Sequence, residues 1–133
     1  MITLEKLIAR HGIEVHDHLD REALVPILTG PQAQGDVMVC PVDGRFKATP
    51  VPPEGVAVVR GESGGNTHLL LADGAVGWTA DGARGLILGW LTVAEGATAY
   101  LAHPEHAYSG IGAGTYTISR QREQADVIRM VAD

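Results

Sequence analysis

At 133 residues, 45% of them hydrophobic, the chain is long enough to bury one ordinary core without disulfide or metal staples and too short to favour two domains. A net charge of -6 gives no general attraction for phosphate backbones or anionic lipid, which argues against nucleic acid or a membrane surface as the partner. The single cysteine, Cys40, excludes an internal disulfide framework and a cysteine-rich zinc cage, and points to a reduced, cytoplasmic setting.

Within Val37-Met-Val-Cys40 that cysteine is expected to be buried as a small hydrophobe. No run approaches the roughly 18 apolar residues of a membrane-spanning helix, and Met1-Ile-Thr-Leu-Glu5 lacks the basic start and apolar stretch of a signal peptide.

Leu4, Leu7, Ile8 and His11 recur at helical spacing, with Thr3 as N-cap and Gly12 as a left-handed stop, so a short amphipathic helix is predicted. His11 is expected to meet the carbonyls at its end. His16 and His18 have the H-x-H spacing of metal ligands, but Asp17, Asp20, Arg21 and Glu22 surround them with charge, which favours a solvated loop. Asp20 is a possible cap for a second helix through Ala23, Leu24, Ile27 and Leu28, with Pro26 placed to disrupt it. The expectation is therefore a helical N-terminal segment, residues 1–30.

From Thr29 onward glycine and proline punctuate the chain at strand-and-turn intervals. Strands are predicted at Val37–Val42, Val56–Gly61, Thr67–Ala72, Ala75–Thr79, Leu86–Val93, Ala97–Ala102 and Thr115–Gln121. Asp73-Gly74 suits a type I′ hairpin, and Asp43-Gly44, Asp81-Gly82 and Glu95-Gly96 mark further turns. Pro50, Pro52 and Pro53 read as a stiff connector. The near-continuous apolar strand around Trp90 is expected to be central and covered on both faces, with Trp78 and Trp90 as packing anchors. The fold expectation is mainly β: one domain over residues 1–133, a small antiparallel barrel or sandwich over 35–133 with the helical segment laid across it.

Chemistry concentrates in two stretches, Gly61-Glu-Ser-Gly-Gly-Asn-Thr-His68 and His103-Pro-Glu-His106. The first lacks the Gly-Lys-Ser/Thr of a phosphate loop and the spacing of a dinucleotide fingerprint; extended, it would deliver Asn66 and His68 to one face. In the second, Pro104 favours a turn that brings His103 and His106 together, with Glu105 as carboxylate ligand or general base. If the stretches meet, His68, His103 and His106 make a three-histidine set for zinc, iron or manganese. The competing readings are histidines that merely hydrogen-bond loop backbone, and a metal-free acid/base pair suited to a phosphodiester. In the last predicted strand Tyr116, Ile118, Arg120 and Arg122 share a face if no bulge intervenes. The two arginines would bind an anionic ligand or pair with rim carboxylates such as Glu62 or Glu123. Val127, Ile128, Met130 and Val131 fit a closing strand or one or two helical turns that dock.

Gly35-Asp-Val-Met-Val, Gly61-Glu-x-x-Gly-x-x-His68, His103-x-Glu-His106, Gly114-x-Tyr116 and Arg120-Gln-Arg-Glu123 together resemble a group of uncharacterised small bacterial and phage-associated proteins, over about residues 35 to 133. Gly-His-x-His in that group stands where this chain has Gly65-Asn-Thr-His68, so Asn66 occupies the position of a histidine. The resemblance selects residues and implies no reaction. Cupins also collect histidines inside a β-barrel, but their Gly-x5-His-x-His-x3,4-Glu motif is not met.

Two functions are thus expected to compete. One is a β-domain binding a small molecule or divalent metal, extending to a metal-dependent enzyme, with His68, His103 and His106 as ligands, Glu105 as base, and Asn66, Tyr116, Arg120 and Arg122 toward the ligand. The other is a non-enzymatic interaction or assembly protein, such as a homo-oligomer, whose histidines are structural.

Overall fold

In a computed structural model, the described residues are 2–13, 15, 19–59, 67–104, 106 and 108–120. Among these residues one helix, α1 (Leu4–His11), precedes strands β1 (Ile27–Leu28), β2 (Gln32–Gln34), β3 (Val37–Pro41), β4 (Thr49–Pro50), β5 (Val56–Val59), β6 (His68–Asp73), β7 (Val76–Thr79), β8 (Ile87–Val93), β9 (Thr98–Ala102), β10 (Ser109–Ile111) and β11 (Gly114–Arg120). They form two sheets, ordered β1-β10-β9-β6-β5 and β2-β3-β11-β8-β7-β4. Among the described residues the sheets do not close into a barrel. Alternate residues from both, among them Leu70, Ala99 and Leu101 from one and Val39, Leu91 and Ile118 from the other, meet in one core, as in a sandwich.

The helix begins and ends where its caps dictate. Thr3 is extended and its hydroxyl accepts from the Lys6 amide at 3.2 Å, while Gly12, at φ 63°, closes the other end by donating to the Ile8 carbonyl. Leu4 and Leu7 then pack with Leu71, Tyr100 and Ala102 on the outer face of the five-stranded sheet, making a second core. The next stretch does not form the expected second helix. Asp20 caps only a turn, through the Glu22 amide, after which the chain runs extended: Leu24 bridges Thr3, and the Pro26 and Leu28 carbonyls accept from Gly110 and Gly112. Pro26 cannot donate inside a helix, but its carbonyl can serve a sheet edge.

All seven expected strands are present within the described residues, with short β1, β2, β4 and β10 in addition. The connections differ from expectation. Asp73-Gly74 joins β6 and β7, which lie in different sheets, so it is a crossover and not a hairpin. Glu95-Gly96 likewise passes from β8 to β9 across the sandwich. Asp81-Gly82 does lie between paired strands, β7 and β8. Pro50 belongs to edge strand β4, where its missing N–H is tolerated.

Strand β8 is central, but its two faces are unequally covered. Gly89, Leu91 and Val93 are buried, whereas Leu88, Trp90 and Thr92 on the other face are half-buried. Trp90 therefore packs on the outside, stacked on Phe46 at 5.4 Å between centroids, and Cys40 is half-buried on the outward face of β3. No helix among the described residues is long and apolar enough to cross a membrane.

Candidate functional site: three histidines at one end of the sandwich

Strand pairing decides where the histidines go. Leu69 lies opposite Ala102 in the antiparallel β6–β9 pair, so the residues just beyond them at this end, His68 and His103, are neighbours. By alternation both continue the inward rows, His68 that of Leu70 and His103 that of Ala99 and Leu101. They occupy the end of the gap between the sheets, where the apolar core stops. His68 is 4% exposed and His103 5%. His106, half-buried, returns over them.

The ring centroids are 4.5 Å apart for His68–His103, 4.2 Å for His103–His106 and 6.1 Å for His68–His106, a triangle close to right-angled at His103. His106 fits because residue 35 is glycine: a Cβ there would lie 2.7 Å from its Nε2. His68 and His106 are nearly parallel, 17° apart, and each is tilted to His103, by 45° and 33°. Among the described residues, no three His, Cys, Asp or Glu side chains already present their donor atoms at metal-ligand spacing.

The facing sheet supplies the partner that sets the protonation of His68. Gln34, itself 5% exposed, is the last residue of β2. Its Nε2 donates to the Leu101 carbonyl at 2.8 Å, and its Oε1 lies 3.0 Å from His68 Nδ1. A carbonyl oxygen can only accept, so the amide orientation is fixed, and Oε1 must accept a proton from Nδ1. Neutral His68 therefore presents its Nε2 lone pair to the site. Burial lowers its pKa below the ordinary 6.5, with the Asp36 carboxylate opposing that shift and His106 adding to it. Nearby, Gln32 accepts from the Ser109 hydroxyl, so two glutamines of β2 tie the sheets together at this end.

The other predicted residues divide. Tyr116 is buried in the core and donates to the Gly112 carbonyl at 2.8 Å. Arg120 is exposed at the end of β11, opposite Val37 and hence beside the Gly35-Asp36 turn; a bulge after Ile118 interrupts the expected register on the β8 side. Asn66, Glu105 and Arg122, the rest of the Gly61–Asn66 loop, His16, His18 and the segment from 121 to 133 lie outside the described residues. His11 is separate from the cluster: its ring is 6.4 Å from that of Tyr100, and its Nε2 is buried without a hydrogen-bond partner among the described residues. Of two further participants, Asp36 stands in the Gly35-Asp-Val-Met-Val stretch and Gln34 carries no motif. The glycine between them turns the chain so that Gln34 is buried and Asp36 sits exposed at the rim of the cluster.

A groove of about 630 Å³ opens at the opposite end of β11 between Phe46, Gly77, Glu95 and Thr115. It contains no histidine, and Glu95 is the sole ionisable side chain among its described lining residues, so the capacity for acid/base or ligand chemistry lies with the histidines.

No curated protein and no solved structure matches the chain. A family model, Domain of unknown function (DUF8820), matches residues 33–121, a span that begins after α1 and β1 and takes in the three histidines, Gln34 and Asp36. The chain belongs to the DUF8820 family.

Proposed function

We propose that this protein binds a divalent transition-metal ion through His68, His103 and His106. The observation that carries the reading is the gathering of three imidazoles, contributed by two chain segments, at one end of the core. Three imidazoles on one ion, with nitrogen–metal distances of about 2.0–2.1 Å, hold their centroids roughly 4.5–5.2 Å apart. Two of the observed separations, 4.2 and 4.5 Å, are already near that range, and the third, 6.1 Å, closes by about 1 Å if the rim histidine, His106, turns its edge inward. His68 is prepared for such a role, because a ligating histidine characteristically donates its other ring N–H to a carbonyl or carboxylate. Its Nδ1–H does this to Gln34. A loop-stabilising histidine needs no such company of two further rings. Exposed Arg120 at the same end supplies a cation for a small anionic molecule approaching the ion.

The test is elemental analysis of purified, untagged protein, beside His68→Ala and His103→Ala, followed by metal add-back. About one ion per chain, lost in both variants, with a melting temperature that rises on adding zinc or manganese, is the expected result. Absence of retained metal together with failed add-back would reject the reading. If the melting temperature were then unmoved by any divalent ion and the oligomer concentration-dependent, the histidines would be structural parts of an assembly protein.

A further inference from the structure

Asp36 faces the histidine cluster in a way that hydrogen bonding does not explain. Its Oδ1 lies 3.7 Å from His68 Nε2, beyond hydrogen-bond range. With Nδ1–H committed to Gln34, that Nε2 carries a lone pair, so two acceptors confront each other at the edge of the buried histidine pair. Such a confrontation is relieved by a cation between them. A proton is one candidate, but an imidazolium at a position 4% exposed is opposed by desolvation. A metal ion is the other. Two ligand atoms on one ion stand roughly 2.9–3.4 Å apart for inter-ligand angles of about 90–110°. The observed 3.7 Å needs only a small inward swing of a side chain that is 55% exposed.

We propose that Asp36 is the fourth protein donor of this site, so that the ion is held by three imidazole nitrogens and one carboxylate oxygen. This rests on the three-histidine reading above. The backbone supports the placement. Asp36 follows Gly35, against whose Cα the His106 ring packs, and precedes Val37, the first residue of β3, so the hairpin turn carries the carboxylate to the ring cluster while leaving it free to rotate. A nitrogen-rich set with one hard oxygen suits Zn(II), Fe(II), Mn(II) or Co(II) and disfavours Cu(I), which prefers sulfur. The carboxylate on the solvent side is also the donor that an incoming anionic molecule would displace or adjoin.

The experiment is a Co(II) titration followed by visible absorption, with Zn(II) competition against a chromophoric chelator, on the full chain and on Asp36→Asn, Asp36→Ala and His103→Ala. Thermal melts confirm that the Asp36 variants fold, as expected for an exposed side chain. Both Asp36 variants are expected to weaken Zn(II) binding by about ten-fold or more and to shift the Co(II) ligand-field bands, which a distant charge would not move. Wild-type affinity and bands in both, with binding lost in His103→Ala, would remove Asp36 as a donor and leave the three histidines standing. No Co(II) or Zn(II) bound by the wild-type chain would overturn both.

Discussion

Gly35 is where a backbone requirement and the site coincide. It sits at φ 59°, a left-handed conformation that costs a side-chain-bearing residue roughly 1–2 kcal/mol, and it faces the His106 ring, whose Nε2 is 2.7 Å from where a Cβ would stand. Gly35→Ala is therefore expected to destabilise the fold by about 1–2 kcal/mol in urea titration and, separately, to weaken metal binding by displacing His106. A variant that loses stability but keeps full affinity would show that His106 does not depend on that approach. At this scale the sequence was informative about residue type and silent about company. Periodicity places His68 on the face of Leu70, but only the pairing of β6 with β9 makes it a neighbour of His103, and that register is a long-range property. Gln34 was illegible for the same reason: its partners, His68 and the Leu101 carbonyl, lie 34 and 67 residues away in the chain. The expectation that Trp90 is buried in the core, and His103 not, is reversed, because β8 shows its tryptophan to the outside while His103, just past β9, points in.

Among elements, the local signals read well and the connections did not. Capping chemistry located both ends of α1, and glycine and aspartate bounded the strands, because these effects act within a few residues. Asp73-Gly74 misled because a sharp turn serves a hairpin and a crossover equally well; Gly74, at φ 98°, with Ala97 2.9 Å from where a Cβ would stand, is needed for close approach at the end of the sandwich. The helix has its own task, covering the outer face of the five-stranded sheet. Leu7, 0% exposed, is its main anchor. Leu7→Ala is expected to cost about 2–5 kcal/mol, read as a lower urea midpoint with an unchanged m-value. A change below about 0.5 kcal/mol would mean that the helix is not packed as described. The Arg10–Asp73 ion pair, which ties the same helix to the end of β6, is half-exposed and adds at most about 1 kcal/mol.

For the molecule as a whole, buried His68 and half-buried His11 give the direction of a response to acid. His68 and His11 both have pKa values lowered from 6.5, burial being the largest cause in each. Below 6.5 the unfolded chain takes up protons that the folded one resists. Stability is therefore expected to be full above pH 6.5, to fall as the pH drops below it, and to level once the folded histidines themselves protonate. Urea titrations at pH 7.5 and 5.0, with and without His68→Gln, test this. The variant should lose part of the pH dependence and keep the share of His11, and an unchanged slope would mean that His68 is not buried as a neutral base. Bound metal would deepen the fall, because protons compete for the same nitrogens.

Strand β11 lies between β3 and β8, and it is the last strand of the described sheet to be made. On a ribosome, β2–β3 and β4–β7–β8 emerge as two ribbons with no ladder between them, the first too small to stand alone. Their facing edges, rich in valine and leucine, stay open until residues 114–120 arrive and zip both at once. The six-stranded sheet is thus completed in one late event, and a nascent chain halted shortly before Gly114 would hold two unpaired edges ready to join each other wrongly, or to join a neighbouring chain.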